Sequence, residues 1–289
     1  VHSAGGQPPS AGSLANVHIA RFAVDSADPR FAVVEGVGAD GSVDDAVLAV
    51  VEGDPLYRPV HLTGEQVPLV DARLLAPVIP RSKIIGIGRN YAEHAAELGN
   101  DVPTEPLMFF KPNTSVIGPQ DNVVLPRQSS EVHYEAELAV VIGRLCKDVP
   151  PERAGEVILG YSIADDVTAR DLQRSDGQWT RAKGFDTFCP LGPWLTVGLD
   201  TTDLAVQCRV NGVVRQDGRT SQMVHDVASL VAAVSAAFTL LPGDVLLTGT
   251  PAGVGPLVAG DRVEITIDGI GTLRHGVVSE ATLTADDQE

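Results

Sequence analysis

Basic residues are the scarce class in this chain. Lys and Arg number 21 against 38 Asp and Glu, a formal net charge of −17, so no cationic footprint is available for a phosphate backbone or an anionic lipid surface. Nucleic acid is therefore not an expected partner. The acidic excess reads as a solvated surface and is not by itself a metal signal. Cysteine is rare as well: Cys146, Cys189 and Cys208 lie far apart without C-x-x-C spacing, which removes zinc-ribbon and dithiol readings and leaves reduced thiols. No apolar run reaches the roughly 20 residues of a membrane span, so no membrane partner is expected. The longest, from Val227 to Leu241, is interrupted by Ser229, Ser235 and Thr239. Residues 1–16 lack a basic stretch followed by an apolar one, so they read as a disordered tail and not a secretory signal. A second tail is expected at 281–289, and the expected location is cytoplasmic.

Phosphate-cradling motifs are missing too. GIGRNY carries Tyr91 where the third glycine of G-x-G-x-x-G would stand, and TGTPAGVG runs into Pro256 and a strand pattern instead of a helix N-terminus. There is no P-loop and no G-x-S-x-G elbow. Nucleotide binding and a serine-hydrolase mechanism are both disfavoured.

What remains is an ordinary globular composition. With 289 residues, 44% of them hydrophobic, a sizeable core is available. From 17 to 80, the runs IARFAV, RFAVVEG and DAVLAVVEG are parted by Asp, Gly and Pro, which predicts a small β-rich N-terminal domain. From 81 to 280 a larger domain is expected. In it SKIIGIGRN reads as a buried strand, YAEHAAELG as a helix stopped by Gly99 and Asn100, and VHYEAELAVVIG as one strand. GYSIADDVT is a further strand, and one helix is expected from about 224 to 241. Without repeats or alternating βαβ units, the fold class is α+β, mostly sheet.

Strand alternation puts His133, Glu135 and Glu137 on one face. Two carboxylates side by side in an apolar strand need a cation, a shared proton or water, so the alternatives are a metal site and a wet acidic edge. Asp165 and Asp166 end the GYSIADDVT strand, and for one of them a turn or helix cap is the ordinary role. Three oxygen donors without cysteine suit Mg²⁺, Mn²⁺ or Ca²⁺ better than zinc. His94 and Glu97, three apart on a helix, place a carboxylate where it can orient an imidazole, the plain alternative being a solvated helix face.

The segments IIGIGRNYAEHAAELG, FFKP, HYEAELAVVIG, GYSIADDVTARDLQ, AKGFDTFCPLGPW, RVNG and LLTGTPAGVG, in that order over about residues 81–277, resemble the fumarylacetoacetate hydrolase superfamily. That group includes acylpyruvases, oxaloacetate decarboxylases and hydroxyheptadienedioate isomerases. The resemblance implies a mixed β-sandwich roll, and Glu135, Glu137 and Asp166 as ligands of Mg²⁺ or Mn²⁺, with Asp165 only their neighbour. It implies His94 and Glu97 as a water-activating pair and Lys183 as the contact of a substrate carboxylate or oxyanion. It also implies Gln173 and Thr250 as hydrogen-bond partners of substrate. Arg170 is expected to be an internal ion-pair partner, Arg89, Tyr91 and Lys111 to shape the pocket, His133 to lie near the ligands, and His225 and His275 to be ordinary surface or core histidines. The implied function is hydrolysis of a C–C bond in a β-diketo acid of acylpyruvate or fumarylacetoacetate type through a metal-chelated enolate. Decarboxylation or dioate isomerisation is the alternative, and a degenerate non-catalytic metal-binding protein is the second. The implied partners are a small keto-acid or dicarbonyl substrate and a second copy in a homodimer.

Overall fold

The computed structural model describes residues 16–38 and 41–280; apart from Asn16, the tails expected at 1–16 and 281–289 lie outside these. The β-branched runs pair into three sheets among the described residues. The largest has twelve strands, and its path begins Leu62–Pro68, Val47–Val51, Arg30–Glu35, Val17–Ala23. It continues through Cys189–Val197, Ile158–Asp165, Ala136–Ile142, Val245–Leu247, Ile84–Gly88 and Leu107–Lys111. Strand Val17–Ala23 pairs antiparallel with Cys189–Val197, so one sheet carries both the N-terminal strands and the later ones. A five-stranded sheet packs against it, built from Val213–Arg219, Ala205–Val210, Arg262–Ile267, Gly271–Ser279 and Asn122–Leu125. Leu138, Val140 and Ile163 of the first meet Val206, Cys208, Val263, Ile265 and Leu273 of the second in one buried cluster. Each such aliphatic side chain stabilises the fold by about 1.5–3 kcal/mol through burial.

Two expected elements differ. The helix read as about 224–241 spans Val227–Ala237. Asp226 caps its start by accepting from the Ser229 N–H, and its end is set by Leu240, whose N–H is drawn off to the Cys146 carbonyl in a bridge. The run VHYEAELAVVIG is not one strand. Val132–Tyr134 belongs to a three-stranded sheet with Thr168–Ala169 and Gly255–Pro256, and Ala136–Ile142 belongs to the large sheet. The chain changes sheets at Glu135 because side chains take the backbone donors there: Glu135 N–H goes to Asp165 Oδ1 and Ala136 N–H to Gln216 Oε1.

Register then delivers one edge of the large sheet. Val245–Leu247 and Ile84–Gly88 run parallel, so the loops after Gly88 and after Leu247 leave on the same side. Ala136, which opens its strand, pairs with Asp165, which closes the neighbouring one. Among the described residues, no helix is long and apolar enough to cross a membrane.

Candidate metal centre

Glu135 stands at the change of sheet, Glu137 two residues into the large sheet, and Asp166 just past the end of Ile158–Asp165. Their carboxylates offer three buried ligand atoms, all within 4.8 Å of one another. Burial excludes the wet acidic edge: Glu135 and Glu137 are 4% and 1% exposed.

Cations meet two of the three acids. Lys183 Nζ donates to Asp166 Oδ2 at 2.6 Å, Glu135 Oε2 at 2.8 Å and Thr168 Oγ1 at 2.8 Å, which uses all its hydrogens. Lys111 Nζ lies 2.6 Å from Asp166 Oδ1, and Arg170 pairs with Glu135 Oε1. Burial opposes ionisation of Glu135, yet the positive charges of Lys183 and Arg170, with His94, outweigh it and hold its carboxyl well below the usual range. Burial likewise weighs against the Lys183 ammonium, and Asp166 and Glu135 reverse that and raise its pKa.

Glu137 is different. Its Oε2 accepts the Gly249 N–H at 2.6 Å, and among the described residues no ion pair reaches it. Burial, then the charges of Asp166 and Glu135, push its pKa well above the ordinary carboxylate value. Gly249 can make this approach because its φ of +96° and its closeness to Asn90 leave no room for a side chain; a Cβ would sit 2.7 Å from Asn90 Cβ. Three carboxylates against three paired cations sum formally to zero. Oxygen donors at this spacing, one of them short of positive charge, fit a hard divalent cation.

The helix Ala92–Glu97 brings the imidazole. Its start is tied down by Asn90, whose side-chain amide donates to the Thr248 and His225 carbonyls. His94 is buried, with Nδ1 3.3 Å from Glu97 Oε2, and both Glu97 oxygens accept from the Gly253 N–H at 3.1 Å. Burial lowers the His94 pKa despite the opposing charges of Glu135 and Glu97, so the ring is neutral at neutral pH.

A cavity of about 200 Å³ gathers His94, Glu135, Glu137, Gln173, Lys183 and Thr250 on its wall. Asp166, held by the two lysines, and Glu97, bonded to His94, are not on that wall. Gln173 Oε1 accepts from Arg170, which leaves its amide hydrogens; Thr250 Oγ1 accepts from Gln216 Nε2 and keeps its own proton to donate. Arg170 is the internal ion-pair partner expected. His133 Nε2 faces Glu131 at 3.5 Å.

Lys111 does more than shape a pocket, since it is an ion-pair partner of Asp166; a lysine closing the apolar strand LMFFK was its signal, because buried lysines are paired. Asp165 is neither a turn residue nor a cap, and His275 is a core histidine with a defined partner. They bond to each other, fully buried, behind Glu135. Gln216, which ties Ala136 to Thr250 and Pro251, had no local signal.

Residues 83–278 match the family model "Fumarylacetoacetate (FAA) hydrolase C-terminal", and residues 17–77 match "Rv2993c-like, N-terminal". Protein Rv2993c of Mycobacterium tuberculosis is 57% identical over 260 residues, covering 84% of this chain and 97% of that protein. The crystal structure of a 5-carboxymethyl-2-hydroxymuconate delta-isomerase from Mycobacterium smegmatis is similar at 51% identity and a TM-score of 0.83, covering 91% of this chain and 100% of that one. A fumarylpyruvate hydrolase from Pseudomonas aeruginosa, solved with Mn²⁺ and pyruvate, is similar at 36% identity and a TM-score of 0.67, covering 72% and 92%. Because the first of the two family models spans most of the sequence, and the carboxylate triad lies inside it, the chain belongs to the fumarylacetoacetate hydrolase family.

Proposed function

We propose that the chain is a Mg²⁺- or Mn²⁺-dependent hydrolase that cleaves a C–C bond of a β-diketo acid of acylpyruvate or fumarylacetoacetate type. One observation carries this reading: a neutral, carboxylate-oriented histidine stands on the wall of the cavity that also exposes Glu135 and Glu137, two of the three acids of the triad. Glu135, Glu137 and Asp166 would hold the metal, which when bound supplies Lewis acidity toward the keto and carboxylate oxygens of the substrate.

The chain's own residues account for the rest. With Glu97 at Nδ1, the neutral His94 ring carries its proton there and offers a lone pair at Nε2. Nε2 takes a proton from water, and the hydroxide adds to the carbonyl carbon distal to the keto acid. The C–C bond then breaks, its electron pair passes to the keto-acid fragment, and the proton on His94 is delivered to the carbon of that fragment from which the bond broke. The products are a carboxylic acid and a keto acid. Lys183, Lys111 and Arg170 remove the negative charge that would repel an anionic substrate, and Gln173 and Thr250 offer the hydrogen bonds that orient it.

A second reading, isomerisation, is favoured by the 51% identity to the Mycobacterium smegmatis isomerase. His94 would then move a proton between two carbons, and no water would be consumed. The two separate in ¹⁸O-water. The Mn²⁺-supplemented protein is offered acylpyruvates, fumarylacetoacetate, oxaloacetate and hydroxymuconic-type dioates. Hydrolysis places ¹⁸O in the new carboxylic acid. A dioate isomerised without label, and no cleavage of the diketo acids, would replace the first reading by the second; turnover of none would overturn both.

A further inference from the structure

Asp165 and His275 belong neither to the triad nor to the cavity wall, yet both are fully buried. Nε2 of His275 lies 2.8 Å from Asp165 Oδ2. Its Nδ1 lies 3.1 Å from the Gly276 carbonyl oxygen and donates to it. Both ring nitrogens therefore face oxygens, one proton lies between Nε2 and Oδ2, and the ring has a single orientation. The remaining carboxylate oxygen, Oδ1, accepts the backbone N–H of Glu135 at 2.7 Å. A buried carboxylate and imidazole cost free energy unless all their bonds are made, and here the path of bonds from His275 through Asp165 ends on one backbone atom, the Glu135 nitrogen.

That atom is where the chain changes sheets. Asp165 closes its strand in the large sheet opposite Ala136, and His275 stands in the five-stranded sheet opposite Val263. Their bond joins the two layers at the residue whose carboxylate enters the triad. With the Asp165 acceptor gone, the Glu135 N–H would be buried without a partner and the backbone there would have to turn to find one.

We propose that Asp165 and His275 are positioning residues that fix the backbone at Glu135 and so aim its carboxylate into the metal site. The inference rests on Glu135 being a metal ligand. Its test uses Mn²⁺ alone, measured by calorimetry and by the electron paramagnetic resonance spectrum of the bound ion, alongside thermal unfolding. The unsubstituted chain should bind Mn²⁺ and Glu135→Ala should not; if either fails, the ligand assignment and this inference fall together. With both controls met, Asp165→Ala should weaken Mn²⁺ about 10–100-fold and alter the spectrum, as loss of a partner behind a ligand does. Asp165→Asn should restore affinity to within a few-fold, because its amide oxygen still accepts from Glu135 and its NH₂ donates to Nε2 of a neutral His275. His275→Ala, which leaves the Glu135 contact in place but frees Asp165 to rotate, should fall between them, and it decides the matter if Asp165→Ala does not fold. Mn²⁺ affinity and spectrum unchanged in the folded variants, with only the melting temperature lowered, would reduce the pair to a structural role and overturn the inference.

Discussion

The acidic triad and the His94–Glu97 pair serve one cavity, reached by Glu135, Glu137 and His94, but are built by opposite means. The acids stand on or beside strands of the large sheet, and their bonds lead to Lys111, Lys183, Arg170 and Gly249, all held by tertiary contacts. The base stands on a helix of six residues, far below the length at which a helix is stable alone, and the side chain of Glu97 is 34% exposed. Like charges packed in a dry site must be compensated before substrate arrives, since any rearrangement afterwards would cost free energy. A proton acceptor needs only an oriented lone pair. One carboxylate anchored on one backbone N–H supplies that.

The sharpest way to break this contrast is to remove an acid. Asp166→Ala strips Lys111 and Lys183 of a shared buried partner, so it should cost about 3–5 kcal/mol of stability and abolish Mn²⁺ binding together with turnover. Thermal unfolding and calorimetry check it, and undiminished Mn²⁺ affinity would remove Asp166 from the ligand set. Removing the base should behave differently. His94→Ala should lower kcat by about 10²–10⁴ and leave Mn²⁺ affinity within a few-fold. Full kcat at saturating substrate and metal would refute the water-activating role.

Smaller effects, on pH, sharpen the comparison further. The raised pKa of Glu137 means that its proton persists above the ordinary carboxylate range and competes with a cation. Mn²⁺ affinity should therefore fall as the pH is lowered through that raised value, at most about tenfold per unit for one released proton. Affinity independent of pH down to the ordinary carboxylate range would contradict the assignment. His94 shifts the other way. Its pKa lies below 6.5, so the neutral ring is the dominant form above that value, and the acid limb of the kcat/KM profile should lie below pH 6.5. Because Glu97 raises the His94 pKa, Glu97→Gln should move that limb further down, and an upward move would show that Glu97 does not act through His94.

Legibility divides along the same line. His94 and Glu97 are three residues apart on a helix, so their contact could be read from spacing alone. The Glu135–Glu137 spacing also pointed to a shared site, but by an argument from one unbroken strand. The two converge although the chain leaves one sheet and enters another at Glu135, because Asp165 and Gln216 take the backbone donors on either side of the turn.

By itself the sequence determined the chemistry available: an α+β, mostly sheet fold, a set of hard oxygen donors without cysteine, and a histidine with a carboxylate one helical turn away. Those are local properties, carried by residue type and by periods of a few positions. Only the tertiary structure decided which charges compensate which. Lys111 reaches Asp166 across 55 positions, Glu137 meets the Gly249 amide across 112, and His275 reaches Asp165 across 110. No local period encodes such pairs. They exist because sheet register brings distant strand ends to one edge, where burial makes every unpaired charge costly.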